Sequence, residues 1–433
     1  MTDPAPAASC PHLEPLLALE PDAIRMSYRH WAELRDEGPV VWVDQLQCFA
    51  VIRYEEIVSV VRDPGRFSSR MPTGPKMVNE TMSRLQEIMA ESPEMFETLS
   101  KGLMIGSAPA LLNADPPAHD RQRALVNRAF SPPRVRRMEE PIRALANQLV
   151  DTFVDRGECE FVHEFAVLLP LTIIAGALGV PDGDLATFKR WSDDFVVAIG
   201  NDHLSKDDLK RMLLSQVEFF DYFTDKIEER RAQPQDDLIS DVVHAEVEGE
   251  EPLTTMEMLG MFSQFLVAGN ETTTKLLAST MLRLIEDPEL MATVRADRSL
   301  IPGLIEEVLR LDTPVQGLFR VADQNCELGG VEIPAGSSLW VLYASANRDD
   351  GEFAEPDVLD LGRANAKAHL AFGQGVHYCL GASLARAEGR IGIEILLDRL
   401  DDITLADDAT IEYEPSYVLH GVRALPITFR AIS

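Results

Sequence analysis

Between Thr254 and Pro288 the chain carries one unbroken helical signal. Thr254 followed by Glu257 fits a capping box, in which each side chain bonds the other residue's backbone N–H. The pattern runs on to a stop at Glu286-Asp287-Pro288. That predicts a helix of about 30 residues, roughly 45 Å long at 1.5 Å per residue. Such a helix crosses a whole molecule, so the other elements must pack round it. Met261, Phe262, Phe265, Leu266, Val267 and Ala268 fall in one stretch of it, which predicts burial on most sides.

Around this helix the signals are mostly helical, from Tyr54 to about Arg320. Val40–Val43 and Cys48–Ile52 read as two short strands around Asp44–Gln47. Strand-like runs return at Ser338–Ala344 and Ile427–Ile432. Arg231–Asp237 and the acidic Glu246–Glu251 read as loops. No repeat or low-complexity linker divides the chain. The expected architecture is mainly α with small β-sheets (α+β), a single domain over 21–433 behind a flexible, Pro- and Ala-rich tail at 1–20.

Forty Lys and Arg against 71 Asp and Glu give a net charge of −31. That excludes general nucleic-acid binding and electrostatic docking on anionic lipid. The most apolar stretch, Phe165–Val180, is too short to span a bilayer and is interrupted by Pro170. The first residues have neither the basic nor the apolar region of a signal peptide. Cys10, Cys48, Cys159, Cys326 and Cys379 are odd in number and widely spread, so no disulfide framework is expected. A cytoplasmic setting is the simplest.

The sharpest chemical signal is Phe372-Gly373-Gln374-Gly375-Val376-His377-Tyr378-Cys379-Leu380-Gly381. Glycines there permit unusual backbone angles and close approach to a flat ligand. Backbone N–H groups in such a loop stabilise a thiolate. One cysteine without a second nearby does not suit structural zinc; it suits haem iron held by a single axial thiolate. The alternative is a buried free cysteine in a Gly-rich turn.

This loop resembles the FGxGxHxCxG signature of the cytochrome P-450 family, the haem-thiolate monooxygenases, at all six fixed positions. The resemblance extends from Tyr54 to the C-terminal strand and implies heme b with Cys379 as axial ligand. Glu307-Val308-Leu309-Arg310 resembles the family's ExxR, with Arg363 as third member of a structural triad. Taken alone, an i, i+3 pair of this kind occurs on any exposed helix. Ala268-Gly269-Asn270-Glu271-Thr272-Thr273 resembles the oxygen-activation motif: Gly269 and the hydroxyls would loosen the helix, Glu271 feed protons and Thr272 bond dioxygen. His119, Arg123, Arg320 and His377 are the implied partners of the haem carboxylates. Asp350, where the family has Pro after Asn347-Arg348-Asp349, is the one departure, with little effect expected.

Two surfaces follow from the same resemblance. Met71, Met77, Met82, Met89, Met95 and Met104 lie where the family covers its substrate, though Met82, Leu85 and Met89 equally fit a core helix. Met104, Phe262, Phe265, Val315, Leu318, Val418 and Leu419 are the expected apolar walls, with Gln316 and His420 as polar handles. Arg121, Arg128, Arg134 and Arg386 are expected to form a basic island that docks an acidic ferredoxin. The implied function is a monooxygenase that hydroxylates or epoxidises an apolar terpenoid, steroid, fatty-acid or polyketide-like substrate. Electrons would come from NAD(P)H through a reductase and ferredoxin, to a monomer. Two other readings stay open: a peroxide-driven or oxidative-coupling haem-thiolate enzyme, and a non-enzymatic haem carrier or gas sensor. The Glu271–Thr272 pair favours dioxygen activation over both.

Overall fold

The computed structural model describes residues 10–106, 109–201 and 203–432, without the side chains of residues 11, 77, 105, 106, 128 and 129. The long helix is present as Thr255–Glu286, 32 residues. Its capping box forms as read: the Glu257 amide donates to Thr254 Oγ1 at 3.2 Å, and the Thr254 amide to Glu257 Oε2 at 2.8 Å. Asp287 ends it and caps the next helix, accepting from the Glu289 and Leu290 amides.

Helices Leu168–Ala177, Lys206–Ala232, Ile301–Leu311 and Ala382–Arg399 pack against the long helix and share one apolar core with it. Small residues set the closest crossing. A Cβ on Gly392 would lie 3.0 Å from Leu277 Cδ2, and one on Gly389 3.1 Å from Leu276 Cδ2. Close backbone approach of this kind brings more side-chain contacts into range.

The largest sheet has five strands in the order Val40–Val43, Cys48–Val51, Ser338–Val341, Leu318–Ala322, Phe67–Ser68. Cys48–Val51 runs parallel to Ser338–Val341 with Phe49 opposite Leu339; the other pairs are antiparallel. The strand expected over Ser338–Ala344 stops at Val341, and Tyr343–Ala346 turns into a short helix. The N-terminal stretch also differs from the expected tail. Pro11–Leu17 is helical, and Cys10, Leu13 and Leu16 are buried with Trp31 and Trp340. Its prolines and alanines mask an apolar spacing that finds its partner only in the folded chain.

The segment leading to Cys379 is held by buried charge. Glu307 accepts Arg310 Nε and Nη2 at 2.7 and 2.8 Å, Arg363 Nε at 3.1 Å and the Asp360 amide at 2.9 Å. Burial works to raise its carboxyl, yet Arg310, the Asp360 amide and Arg363 outweigh it and hold the group below the usual range. Arg310 also donates to the carbonyls of Asn347, Pro356 and Val358, and Arg363 to those of Ala354, Glu355 and Val358. Asp350 pairs with Arg53 at 2.8 Å, so the departure there brings its own cation.

Removing one partner of a buried pair strands the others without counter-charge. Glu307→Ala is expected to cost about 3–5 kcal/mol, read as a fall in the denaturant midpoint. A midpoint equal to that of the unsubstituted chain would show that the network does not hold the fold.

Candidate active site

Cys379 lies just before the helix Ala382–Arg399. Its own amide donates to the Phe372 carbonyl at 2.9 Å, which folds the loop back on itself. Gly373 and Gly375 have φ of 63° and 72°, in the left-handed region. At Gly375 a Cβ would also fall 2.3 Å from the Val61 carbonyl oxygen, so no larger side chain fits. Burial raises the Cys379 thiol above its ordinary value, while the amides of Gly381 and Ala382 and the charges of Arg123 and Arg386 pull the other way. A bound metal cation would favour the thiolate against that burial. Among the described residues no group of three His, Cys, Asp or Glu can hold a metal. A lone cysteine sulfur in a glycine-rich loop is the donor that haem iron, which brings its other ligands with it, takes.

Four bases converge near the loop. The His119 and His377 rings lie 4.2 Å apart, and His377 Nε2 is 2.9 Å from Ser69 Oγ. Arg320 is 2% exposed, and Nη1 donates to the Phe319 carbonyl. Burial, with Arg320, His119 and Arg123, pushes His377 down to about 3. Among the described residues the one carboxylate bonded to the four is Asp120, 3.1 Å from His119 and itself exposed. Bases gathered round a single exposed acid fit a ligand that carries its own carboxylates. Haem carries two, so the donor set matches the implied cofactor.

On the long helix Ala268 is exposed while Phe265, Leu266 and Asn270 on either side are buried, so nothing packs on the helix at that one position. The helix is continuous through Gly269, contrary to the expected loosening. The Thr272 hydroxyl donates to the Ala268 carbonyl at 2.7 Å, sharing the ladder's acceptor without breaking it. Glu271 pairs with Lys275 at 2.9 Å, a partner that the motif does not contain.

The expected walls divide. Val315 and Leu318 are half-buried, and Phe265 and Leu419 nearly buried; Val315 forms a β-bridge with Leu419. Phe262 and Val418 have no exposed surface, because Phe262 packs on Phe223 and Val418 joins the core around Trp340, so neither is a wall here. Met104 is 61% exposed, too open for one. Of the core-helix alternative, Leu85 and Met89 pack into a small core with Met95, but Met82 is 40% exposed and lies outside it. Gln316 is no handle: its Oε1 accepts from Trp31 Nε1 at 2.7 Å and Ser27 Oγ at 3.1 Å. His420 and Gln316 border a separate polar cavity of about 270 Å³ with Arg283, Asp312 and Arg348.

The basic island is also corrected. Arg121 pairs with Glu257, Arg134 with Asp241, and Arg386 with Glu306 at 2.6 Å. In so acidic a chain, neighbouring helices supply counter-charges. The Arg128 side chain lies outside the described residues. Arg386 further stacks on Phe372, 4.4 Å from the ring centroid. Glu306 receives His369 as well; burial opposes its charge, but His369 and Arg386 hold it down at about 2.

One buried acid escaped the sequence reading. Glu388 is 2% exposed, with the Thr273 hydroxyl as its hydrogen-bond partner and no ion-pair partner among the described residues. Burial pushes its carboxyl up to about 8, against the pull of Thr273. Its spacing from Leu384 and Ile391, on one helix face, was the available signal. Its native value lies above the unfolded value near 4.5, so folding takes up a proton between them. The wild-type chain should lose stability relative to Glu388→Gln as pH rises from 5 to 8, and no further above 8. Parallel stability curves for the two proteins would contradict this.

Comparison with known proteins agrees with this geometry. The family model for cytochrome P450 matches residues 202–420. The cytochrome P450 monooxygenase PikC of Streptomyces venezuelae is 34% identical over 436 residues, covering 99% of this chain and 97% of that protein. A steroid C26-monooxygenase of Mycobacterium tuberculosis is 38% identical over 322 residues, 74% of this chain and 86% of the other. The structure of CYP109Q5 from Chondromyces apiculatus superposes with a TM-score of 0.81 at 36% identity, covering 96% of this chain and 98% of that one. With its long helix, its buried ExxR network and its Cys loop, this chain belongs to the cytochrome P450 family and is a monooxygenase of that family.

Proposed function

We propose that the chain binds heme b through Cys379 and uses dioxygen to hydroxylate or epoxidise an apolar, medium-to-large molecule. The observation that carries this reading is Cys379, backed by the amides of Gly381 and Ala382, beside four bases that share one exposed carboxylate partner, Asp120, among the described residues. When bound, the haem supplies the redox iron at which dioxygen is activated. His119, Arg123, Arg320 and His377 bind its carboxylates and orient it. The Thr272 hydroxyl would turn from the Ala268 carbonyl toward dioxygen, and Glu271, paired with Lys275 on the same helix turn, would relay protons. Phe265, Val315, Leu318 and Leu419 exclude water and present an apolar wall. Similarity to a steroid C26-monooxygenase supports a steroid-like substrate.

Electrons come from NAD(P)H through a reductase and an acidic ferredoxin. The docking face is a groove of about 660 Å³ in which Arg136 and Lys367 stand beside the ion pairs Arg386–Glu306 and Arg390–Glu139. It is locally positive in a molecule of net charge −31. Among the described residues no helix is long and apolar enough to cross a membrane. Five free cysteines support a reducing cytoplasm, and we take the active unit to be a monomer.

One reconstituted assay, with ferredoxin, reductase and NAD(P)H, tests both parts. Thr272→Ala is expected to keep consuming electrons while product per NAD(P)H falls several-fold and peroxide rises. Arg136→Glu with Lys367→Glu is expected to slow reduction by ferredoxin, most at low salt. Unchanged coupling in the first would remove Thr272 from dioxygen activation. Unchanged reduction kinetics in the second would reject this docking face.

A further inference from the structure

Lys275 is 3% exposed and sits one turn beyond Glu271 on the long helix. Its Nζ is 2.9 Å from Glu271 Oε2 and 3.6 Å from Glu414 Oε2. Glu414 belongs to another element. It follows the strand Glu412–Tyr413, which pairs antiparallel with Val422–Ala424. The Glu414 amide donates to the Gly421 carbonyl at 3.0 Å and closes the neck of a loop. That neck rests on the lysine stem: a Cβ on Gly421 would fall 2.4 Å from Lys275 Cγ. Between Glu414 and Gly421 the loop carries Leu419, which bridges to Val315. One buried cation therefore touches the acid of the long helix and the base of an apolar loop.

Two carboxylates and one ammonium leave a net charge of −1, so Lys275 cannot neutralise both. Burial opposes the charge on Lys275, but Glu271 and Glu414 keep it protonated above its usual range. Glu414 is 23% exposed and reaches water, while Glu271, at 13%, depends more on the lysine. A small shift of the loop changes how the ammonium is divided between them.

We propose that Lys275 is a positioning residue shared by Glu271 and Glu414, so that a molecule pressing on Leu419 alters how tightly Glu271 is held and how readily it carries a proton. This rests on the assignment of Glu271 as the proton-feeding acid and of Leu419 as a wall. It makes proton supply respond to a molecule held against that wall. Four other groups face the pair. Asp193 on the helix Leu185–Val196 lies within electrostatic range of Glu271 and is itself paired with Lys189 at 2.6 Å. Asn270 Nδ2 is 3.4 Å from Glu271 Oε1. His420 lies within electrostatic range of both Lys275 and Arg283; burial pushes His420 down to about 4, so it is neutral at pH 7.

The test is infrared titration of the haem-loaded full chain, following the carbonyl band of protonated Glu271, assigned by its loss in Glu271→Gln. Glu414→Gln frees the lysine for Glu271 and is expected to move the band's midpoint to lower pH. Lys275→Met is expected to move it to higher pH. In the Lys275→Met background the effect of Glu414→Gln should fall to less than half, since only direct repulsion between the acids remains. An equal shift in both backgrounds, or none in Glu414→Gln alone, would overturn the proposal. Glu414 is partly exposed, so that variant stays informative even where Lys275→Met folds poorly. The band reports charge alone, so its failure is distinct from failure of Glu271 in turnover.

Discussion

Glu306 and Glu307 are neighbours on one helix, and between them they hold both ends of the segment that carries Cys379. Glu307 binds Arg310 and Arg363 and so fixes the backbone from Asn347 to Arg363. Glu306 binds His369 just before the loop and Arg386 just after it. Buried ion pairs are expensive to desolvate, and apolar replacements often match them in stability. What these pairs supply is position. Each guanidinium is a planar fork that accepts one arrangement of carbonyls and carboxylates, so the loop has one place to sit. The left-handed glycines and the close approach at Val61 are tolerable because both flanks are fixed.

The same economy of charge shapes the rest of the site. In a chain with a net charge of −31, most arginines find acids from neighbouring elements. His119, Arg123, Arg320 and His377 stand out because among the described residues they gather with only the exposed Asp120 as an acid. Repulsion within that group makes sense when the ligand brings carboxylates. Glu388 is the mirror case, an acid buried without a cation, which stays protonated instead.

Features encoded locally were legible in the sequence. The capping box and the Asp-Pro stop bound the long helix through contacts within four residues. Glu307 and Arg310 meet because i, i+3 spacing brings them together. The strands Val40–Val43 and Cys48–Val51 follow from a short turn between apolar runs. Features that depend on distant partners were not. Gln316 looks like a free polar handle until Trp31 and Ser27 arrive from far along the chain. Arg121, Arg134 and Arg386 look like surface charge until Glu257, Asp241 and Glu306 are placed beside them. Lys275 and Glu388 drew no reading from the sequence, since charge in a helix marks burial only when its packing neighbours are known. The N-terminal turn, hidden in a Pro- and Ala-rich run, is legible only against Trp31 and Trp340.

The central claim is that Cys379 is the axial ligand of a bound haem. The most direct measurement is the absorption spectrum of the reduced full chain under carbon monoxide, for wild type and Cys379→His. A strongly red-shifted Soret band in wild type, lost in the variant, is the expected result. A wild-type band at the position of imidazole-ligated haem, or no bound haem at all, would contradict the claim.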